Sequence, residues 1–315
     1  MSGQITVSFI GAGYMAREHI RAFQSIPSIQ LKGIHSRTRK KAVKLASQFG
    51  IVHVCDSITE LYEKTKADLV IIAVPVLNTK DVCFDAFHYP WMLLVEKPVG
   101  YDVIEAEEIM ALAKKLRKLV FVGLNRRYYK STKKAVQDIA SSDELRLICV
   151  YDQEDPRATW EEARSEKLIE NWMYANSIHL IDYFRMFGRG EIQSVKPIIR
   201  WDPVRPRFVI SQLQYSSGDV GLYQAVWGGP GPWAVTVTTQ RSRWELRPLE
   251  RAIHQSYGSG AAVEVSTDEI DKEDLKTGLR KQAQDLVKAV KGQDNCLVTL
   301  DDALETMRLV KRIYD

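Results

Sequence analysis

The chain has 315 residues, 45% of them hydrophobic and 27% charged, enough to bury a large core and to form two domains. Its net charge of +4 is interspersed rather than blocked, which excludes a nucleic-acid-binding arm and suits anionic small-molecule partners. No apolar run of about 18 residues could span a membrane, strand-like sequence begins almost at the start so that no signal peptide is expected, and Cys55, Cys83, Cys149 and Cys296 form no C-x-x-C pair. A cytoplasmic protein is expected, with neither membrane nor nucleic acid as partner. The six histidines show no ligand spacing, so no metal is expected.

The β-branched and aromatic run Ile5 to Ile10 predicts a strand covered on both faces. Gly11-Ala12-Gly13-Tyr14-Met15-Ala16 follows as G-x-G-x-x-A, and Ala16, Ile20 and Phe23 continue at helical spacing. Strand, glycine turn and helix together predict a dinucleotide site, with Gly11 allowing the turn and Gly13 the approach of a pyrophosphate. The second strand, Ile29 to His35, ends in His35-Ser36-Arg37-Thr38-Arg39-Lys40-Lys41, which carries no acid for a ribose 2′-OH. Ser36 and Arg37 fit a 2′-phosphate, so NADP is expected, with NAD as the alternative.

Strands at Leu69 to Val74, Met92 to Val95 and Leu119 to Gly123 alternate with helical stripes, among them Asp56 to Tyr62, Asp81 to Phe87 and Ala106 to Leu116. This rhythm predicts an α/β Rossmann domain over residues 1–124, a doubly wound parallel sheet. Gly11, Ser36, Pro75, Glu96 and Asn125 fall at its strand ends, where ligands of such sheets bind. After Asn125 the pattern changes. A helix from Thr132 to Ala140, a strand at Leu145 to Asp152 and a charged stretch with Trp160 and Trp172 precede a helix at Ile178 to Phe187. Five further strand-like runs lie between Ile192 and Leu249, and helices at Thr277 to Lys291 and Leu300 to Tyr314 end the chain. Residues 125–315 therefore read as a C-terminal α+β domain with an antiparallel sheet. Alternation of Val235 and Val237 with Thr236 and Thr238 predicts one half-exposed face, a candidate oligomer surface.

Three clusters carry the chemistry. Glu96-Lys97-Pro98 closes a buried strand, and a lysine there can serve as general acid/base, with Glu96 orienting its ammonium. In Asn176-Ser177-Ile178-His179-Leu180-Ile181-Asp182, His179 and Asp182 share a helix face. Asn125-Arg126-Arg127-Tyr128-Tyr129-Lys130 offers cations for an anionic cofactor or substrate, or is a solvated basic face.

GAGYMA, EKP, NRR and S-I-H-L-I-D, in this order and at these places, resemble the glucose–fructose oxidoreductase / inositol dehydrogenase / MocA family over nearly the whole chain. The resemblance implies an N-terminal Rossmann domain and a C-terminal domain whose open, mostly antiparallel sheet makes a homodimer or homotetramer. It implies NAD(P)-dependent oxidation or reduction of a carbinol of sugars or related compounds. Lys97 falls on the family's catalytic lysine, His179 on its active-site histidine and Asp182 on the following aspartate. The implied cofactor site comprises Gly11, Ala12, Gly13, Tyr14, Met15, Ser36, Arg37, Val74, Pro75, Asn78, Glu96, Lys97 and Asn125. Arg126, Tyr128, Asn176, His179 and Asp182 are the implied substrate contacts. Two departures stand out: D-x-G-x-H reads Ala175-Asn176-Ser177-Ile178-His179, and P-N-x-x-H reads Pro75-Val76-Leu77-Asn78-Thr79. The expected substrate is a nucleotide sugar such as a UDP-N-acetylhexosamine, oxidised at C3 in cell-surface glycan synthesis, with Arg157, Arg164 and Lys167 adding positive charge for its diphosphate. The alternatives are a free sugar or inositol dehydrogenase, and a non-catalytic NAD(P)-binding regulatory protein.

Overall fold

The computed structural model describes residues 4–27, 29–155, 165–266 and 275–315. The chain divides into two compact units, Met1–Asn125 with Asp271–Leu304, and Arg126–Ile270 with Glu305–Asp315.

The first unit is built on β1 (Ile5–Ile10), β2 (Ile29–His35), β3 (His53–Cys55), β4 (Leu69–Ile72), β5 (Met92–Val95) and β6 (Val120–Val122), all parallel, in the order β3-β2-β1-β4-β5-β6. This is the Rossmann order, with its reversal between β1 and β4. Every residue of β4 is buried, as its unbroken Leu-Val-Ile-Ile run requires. The strand β3 is new relative to the sequence expectation; three residues are too short for a period to show. Helices α1 (Tyr14–Gln24), α2 (Arg39–Phe49), α3 (Ile58–Thr65), α4 (Thr79–Ala86) and α5 (Val103–Lys115) connect the strands. Ser57 Oγ caps α3 by accepting from Glu60 N at 3.0 Å, and Asp102 caps α5 by accepting from Glu105 N at 2.8 Å. The Ser57 cap moves α3 two residues beyond the expected Asp56 start.

The expected division at residues 124/125 puts all later residues in one domain, whereas Asp271–Leu304 belongs to the first unit. The reason is backbone pairing and packing that composition does not reveal. Helix α10 (Leu279–Val290) packs against α1, Val122 N donates to Val298 O at 2.9 Å, and Phe121 bridges to Thr299. Asn125 Nδ2 donates to Thr277 O at 2.9 Å.

In the second unit the strands are β7 (Leu147–Glu154), β8 (Ile192–Ile199), β9 (Phe208–Tyr215), β10 (Val220–Trp227), β11 (Ala234–Thr238), β12 (Ser242–Leu246), β13 (Ala252–Ser256) and β14 (Val263–Val265). Their order is β14-β13-β12-β11-β7-β10-β9-β8, antiparallel throughout except for β7 beside β10. The sheet is thus mostly antiparallel, as expected, with one parallel pair. The expected run Trp244 to Leu249 stops at Leu246, because Pro248 has no N–H for a ladder. The unit also contains α6 (Lys130–Ala140), α7 (Glu166–Glu170), α8 (Trp172–Ala175) and α9 (Ile178–Phe187), the last packed on β7. The final helix, α11 (Leu300–Tyr314), crosses from one residue set to the other. Thr299 Oγ1 accepts from Asp302 N at 3.1 Å, the cap read from the sequence. Val235 and Val237 are buried while Thr236 and Thr238 are half-buried, so the alternation read in β11 holds. Trp160, Arg157 and Arg164 lie outside the described residues. Among the described residues no helix is long and apolar enough to cross a membrane.

The tightest crossing in the first unit is at Gly11. Its φ is +115°, and a Cβ there would stand 2.0 Å from the carbonyl oxygen of Ala73. Gly11→Ala is therefore expected to cost about 2–4 kcal/mol of folding free energy. Urea unfolding of the variant measures this; an unchanged midpoint would show that the turn relaxes freely.

Candidate active site

The carboxyl edge of the parallel sheet assembles the predicted cofactor residues. Gly11 N donates to His35 O and Ala73 N to Ile10 O, each at 2.8 Å, so the glycine turn is tied to the ends of both neighbouring strands. Gly13 is a glycine for a different reason. It starts α1 with no side-chain cap, and a Cβ on it would meet nothing within 4 Å. Internal packing does not demand a glycine there, whereas a ligand backbone approaching the helix N-terminus would. The residues present fit a pyrophosphate. Tyr14, 59% exposed, has the Arg17 guanidinium 5.8 Å and the Lys276 ammonium 5.4 Å from its ring centroid.

At the end of β2, Arg37 donates to Asn78 Oδ1 at 2.6 Å, and Ser36 Oγ accepts from Thr38 N at 3.3 Å. Two residues predicted from separate motifs thus meet. Asn78 is held by a single 3₁₀ turn, Val76–Asn78, which Pro75 starts. Val74 would lie 3.4 Å from a Gly11 Cβ, flanking the turn. The acid of the E-K-P motif has a partner that the sequence reading missed: Glu96 Oε1 bonds His19 Nε2 at 2.6 Å, both side chains being buried. Gly123 leaves room for this carboxylate, since a Cβ on it would stand 2.7 Å from Glu96 Oε1. Lys97 follows at the strand end, half-buried, with its bond to Pro98 in the cis form. Asn125 is 2% exposed, and its amide is the one that holds Thr277.

The second unit holds the histidine cluster. His179, 5% exposed, lies in the first turn of α9, with its ring centroid 6.3 Å from that of Trp233. Arg126 stacks over the other aromatic partner in this cluster, its Cζ 4.9 Å from the Trp233 centroid. Asp182 is 2% exposed; it accepts two bonds of 2.7 Å from Arg127 and one of 2.9 Å from Thr306. It thus anchors Arg127 to α9 and α11. Tyr128 is buried, with the Lys133 ammonium 4.7 Å from its ring centroid. Lys97 belongs to the first unit and His179 to the second.

The turn that carries His179 is fastened by a carboxylate that sequence reading did not single out. Glu154, fully buried, accepts from Trp172 Nε1 at 2.7 Å, Asn176 Nδ2 at 2.8 Å and Ser177 Oγ at 2.9 Å. Ala175, where many family members carry aspartate, is thus next to residues bonded by an acid from β7. Asp152, on the same strand face, accepts from Tyr223 at 2.7 Å, and that hydroxyl lies 2.8 Å from Tyr314. Burial pushes both carboxyls above the ordinary carboxylate range, and the neighbouring Asp152 charge raises Glu154 further. Alternation was the available signal: Ile148, Val150, Asp152 and Glu154 are the buried residues of β7. Among the described residues no group of three His, Cys, Asp or Glu could hold a metal ion.

Residues 5–124 match the family described as "Oxidoreductase family, NAD-binding Rossmann fold", the glucose–fructose oxidoreductase / inositol dehydrogenase / MocA group. Over its Rossmann domain the chain is similar to this family. Glucose-6-phosphate 3-dehydrogenase of Bacillus subtilis is 25% identical over 184 residues, 56% of this chain and 51% of the relative. The chain spans about half the length of the curated relatives it matches. A putative NADPH-dependent oxidoreductase of Desulfitobacterium hafniense shares the fold at TM-score 0.85 and 15% identity, covering 100% of this chain and 95% of that one. UDP-N-acetylglucosamine 3-dehydrogenase of Acidithiobacillus ferrooxidans superposes at TM-score 0.80 and 14% identity, covering 100% and 97%.

The buried acid pair predicts a pH dependence of stability. In the unfolded chain these carboxyls titrate near 3.8 and 4.5, and the folded values lie higher. The pair's contribution is therefore complete below the unfolded values and is lost as pH rises through the folded ones. Asp152→Asn removes one acid and its repulsion of Glu154. Relative to wild type, the variant should gain stability as pH rises from 4 to 8. Urea unfolding across this range tests it; parallel pH profiles would show that the pair does not titrate there.

Proposed function

We propose that this chain is an NADP-dependent oxidoreductase that moves a hydride between nicotinamide and a secondary carbinol of a sugar. The preferred substrate is a nucleotide sugar of UDP-N-acetylhexosamine type, reacting at C3. The observation that carries the reading is Lys97 on the same sheet edge as the uncapped, open-flanked Gly13. β5 lies two strands from β1, so Lys97 stands roughly 10 Å along that edge from the glycine turn.

When bound, the nicotinamide supplies the two-electron acceptor. Gly11 to Met15 bind the pyrophosphate through backbone N–H groups, and Ser36 and Arg37 receive the 2′-phosphate. Arg37, held by Asn78, is pre-positioned for that charge. In the oxidising direction neutral Lys97 takes the proton of the carbinol as its carbon is oxidised to a ketone, and in reverse it returns that proton to the alkoxide. His179, fixed by the Glu154-bonded turn, binds the sugar, with Arg126, Tyr128 and Asn176 as further contacts. Two relatives whose names specify C3 of a hexose derivative, one a sugar phosphate and one a nucleotide sugar, support this regiochemistry. Self-association as a dimer or tetramer is proposed through the outer face of the eight-stranded sheet, where Leu147 and Tyr151 of β7 and Phe208 of β9 are exposed.

Incubation with NADP⁺ or NAD⁺ and a panel of UDP-sugars and free sugars, monitored through reduced nicotinamide, tests the activity. Tight cofactor binding without turnover in either direction would contradict it and favour a regulatory protein. Lys97→Ala is expected to lower kcat by about 10²–10⁴-fold while cofactor still binds; full activity would remove the lysine from the chemistry. NADPH should raise the thermal midpoint more than NADH at equal concentration. A larger shift with NADH would overturn the assignment of Ser36 and Arg37.

A further inference from the structure

The second unit contains a cavity of ≈ 650 Å³ whose walls include Arg126, Trp233, Arg247 and Glu250. We infer that this cavity is the subsite for the nucleoside diphosphate of the substrate, with Arg126 and Arg247 receiving its phosphates. The inference rests on the nucleotide-sugar reading above and adds the residues that would enforce it.

The two arginines are the first argument. Other arginines in this unit are already engaged: Arg127 by Asp182, Arg189 by Asp219 and Arg146 by backbone carbonyls. Among the described residues neither the Arg126 nor the Arg247 guanidinium has an ion-pair or hydrogen-bond partner, and Arg126 Nε is buried without one. A guanidinium that no carboxylate or carbonyl engages has its donors available for an oxyanion. Arg126 is also pre-positioned. Its face rests on Trp233 at 4.9 Å, and the indole N–H of Trp233 is fixed on Gln153 O at 2.9 Å. Stacking occupies the face of the guanidinium and leaves its N–H edge to bind.

Size and position are the second argument. A volume of ≈ 650 Å³ lies in the range of sites that bury a whole organic ligand and exceeds what one phosphate group fills. Glu250 on the wall can only accept hydrogen bonds when ionised, which suits ribose hydroxyls and opposes a bare inorganic anion. Trp233 links the cavity to the proposed sugar site, because its ring is the one that neighbours His179 at 6.3 Å. Ser131 Oγ donates to Leu249 O, which secures the wall formed by Arg247 to Glu250 against α6. None of Trp233, Arg247 or Glu250 belongs to a motif, and only the fold brings them to Arg126.

Titration with UDP alone tests the subsite, using wild type, Arg247→Ala and Arg247→Lys. Arg247 is exposed, so its variants are expected to fold. The alanine variant should weaken UDP binding about 10–100-fold and raise KM for the UDP-sugar by a similar factor with kcat nearly unchanged. Lysine should restore part of this. UDP-sugar turnover with UDP affinity unaltered in both Arg247→Ala and Arg126→Gln would overturn the subsite and leave the substrate class standing. Arginine-dependent UDP binding without UDP-sugar turnover would support the subsite and contradict the substrate class. Glucose 6-phosphate competing as strongly as UDP would overturn the nucleoside diphosphate assignment, as would a wild-type protein that does not bind UDP.

Discussion

The close approach of Gly11 to the Ala73 carbonyl sets the geometry on which the first unit depends. Only a residue without a Cβ, at φ +115°, lets the chain leave β1 and turn into α1 while β4 ends beside it. The hydrogen bonds from Gly11 to His35 and from Ala73 to Ile10 then lock three strand ends at a common level. Everything proposed for the cofactor follows from that level. Gly13 opens the helix N-terminus, Arg37 and Asn78 meet across the ends of β2 and β4, and Lys97 stands one strand further on.

The second unit is organised by buried polar groups. Asp182 and Glu154 are each satisfied by three hydrogen bonds; Asp182 lies on the helix that bears His179, and Glu154 holds the turn that leads into it. Unpaired acids so deeply buried would cost several kcal/mol each, so both sites require their full set of donors. The arrangement fixes the histidine turn by bonds from β7, α8 and α11 rather than by an aspartate at position 175. Arg126 is a contrast within the same segment: its neighbour Arg127 is committed to structure, whereas Arg126 is stacked and left without an anion.

Much of the first unit was legible in the sequence because each of its signals is local. The Ile5–Ile10 strand, the glycine turn and the β5 run before Glu96 are contiguous, and continuous apolar runs in a strand–helix rhythm specify a parallel sheet. The second unit was less so. Its strands were readable from β7 to β12, but the parallel β7–β10 pair and the return of residues 271–304 to the first unit are matters of long-range pairing. The candidate site divides in the same way. Lys97 and His179 stand out as motif residues. His19 beside Glu96 carried no signal, since a histidine on an apolar helix face reads as core. Glu154 was detectable in principle from its parity with Ile148 and Val150. Arg247 and Trp233 were not, being distant in sequence from Arg126 and from each other.

The central claim is direct transfer of hydride from a sugar carbinol to the nicotinamide held at the glycine turn. Supplying UDP-N-acetylhexosamine deuterated at C3, together with NADP⁺, and reading the reduced cofactor by mass spectrometry tests it most directly. The account predicts one deuterium in the reduced nicotinamide and a 3-keto nucleotide sugar as product. Reduced cofactor without deuterium would contradict reaction at C3, and no reduced cofactor with any sugar of the panel would contradict the oxidoreductase itself.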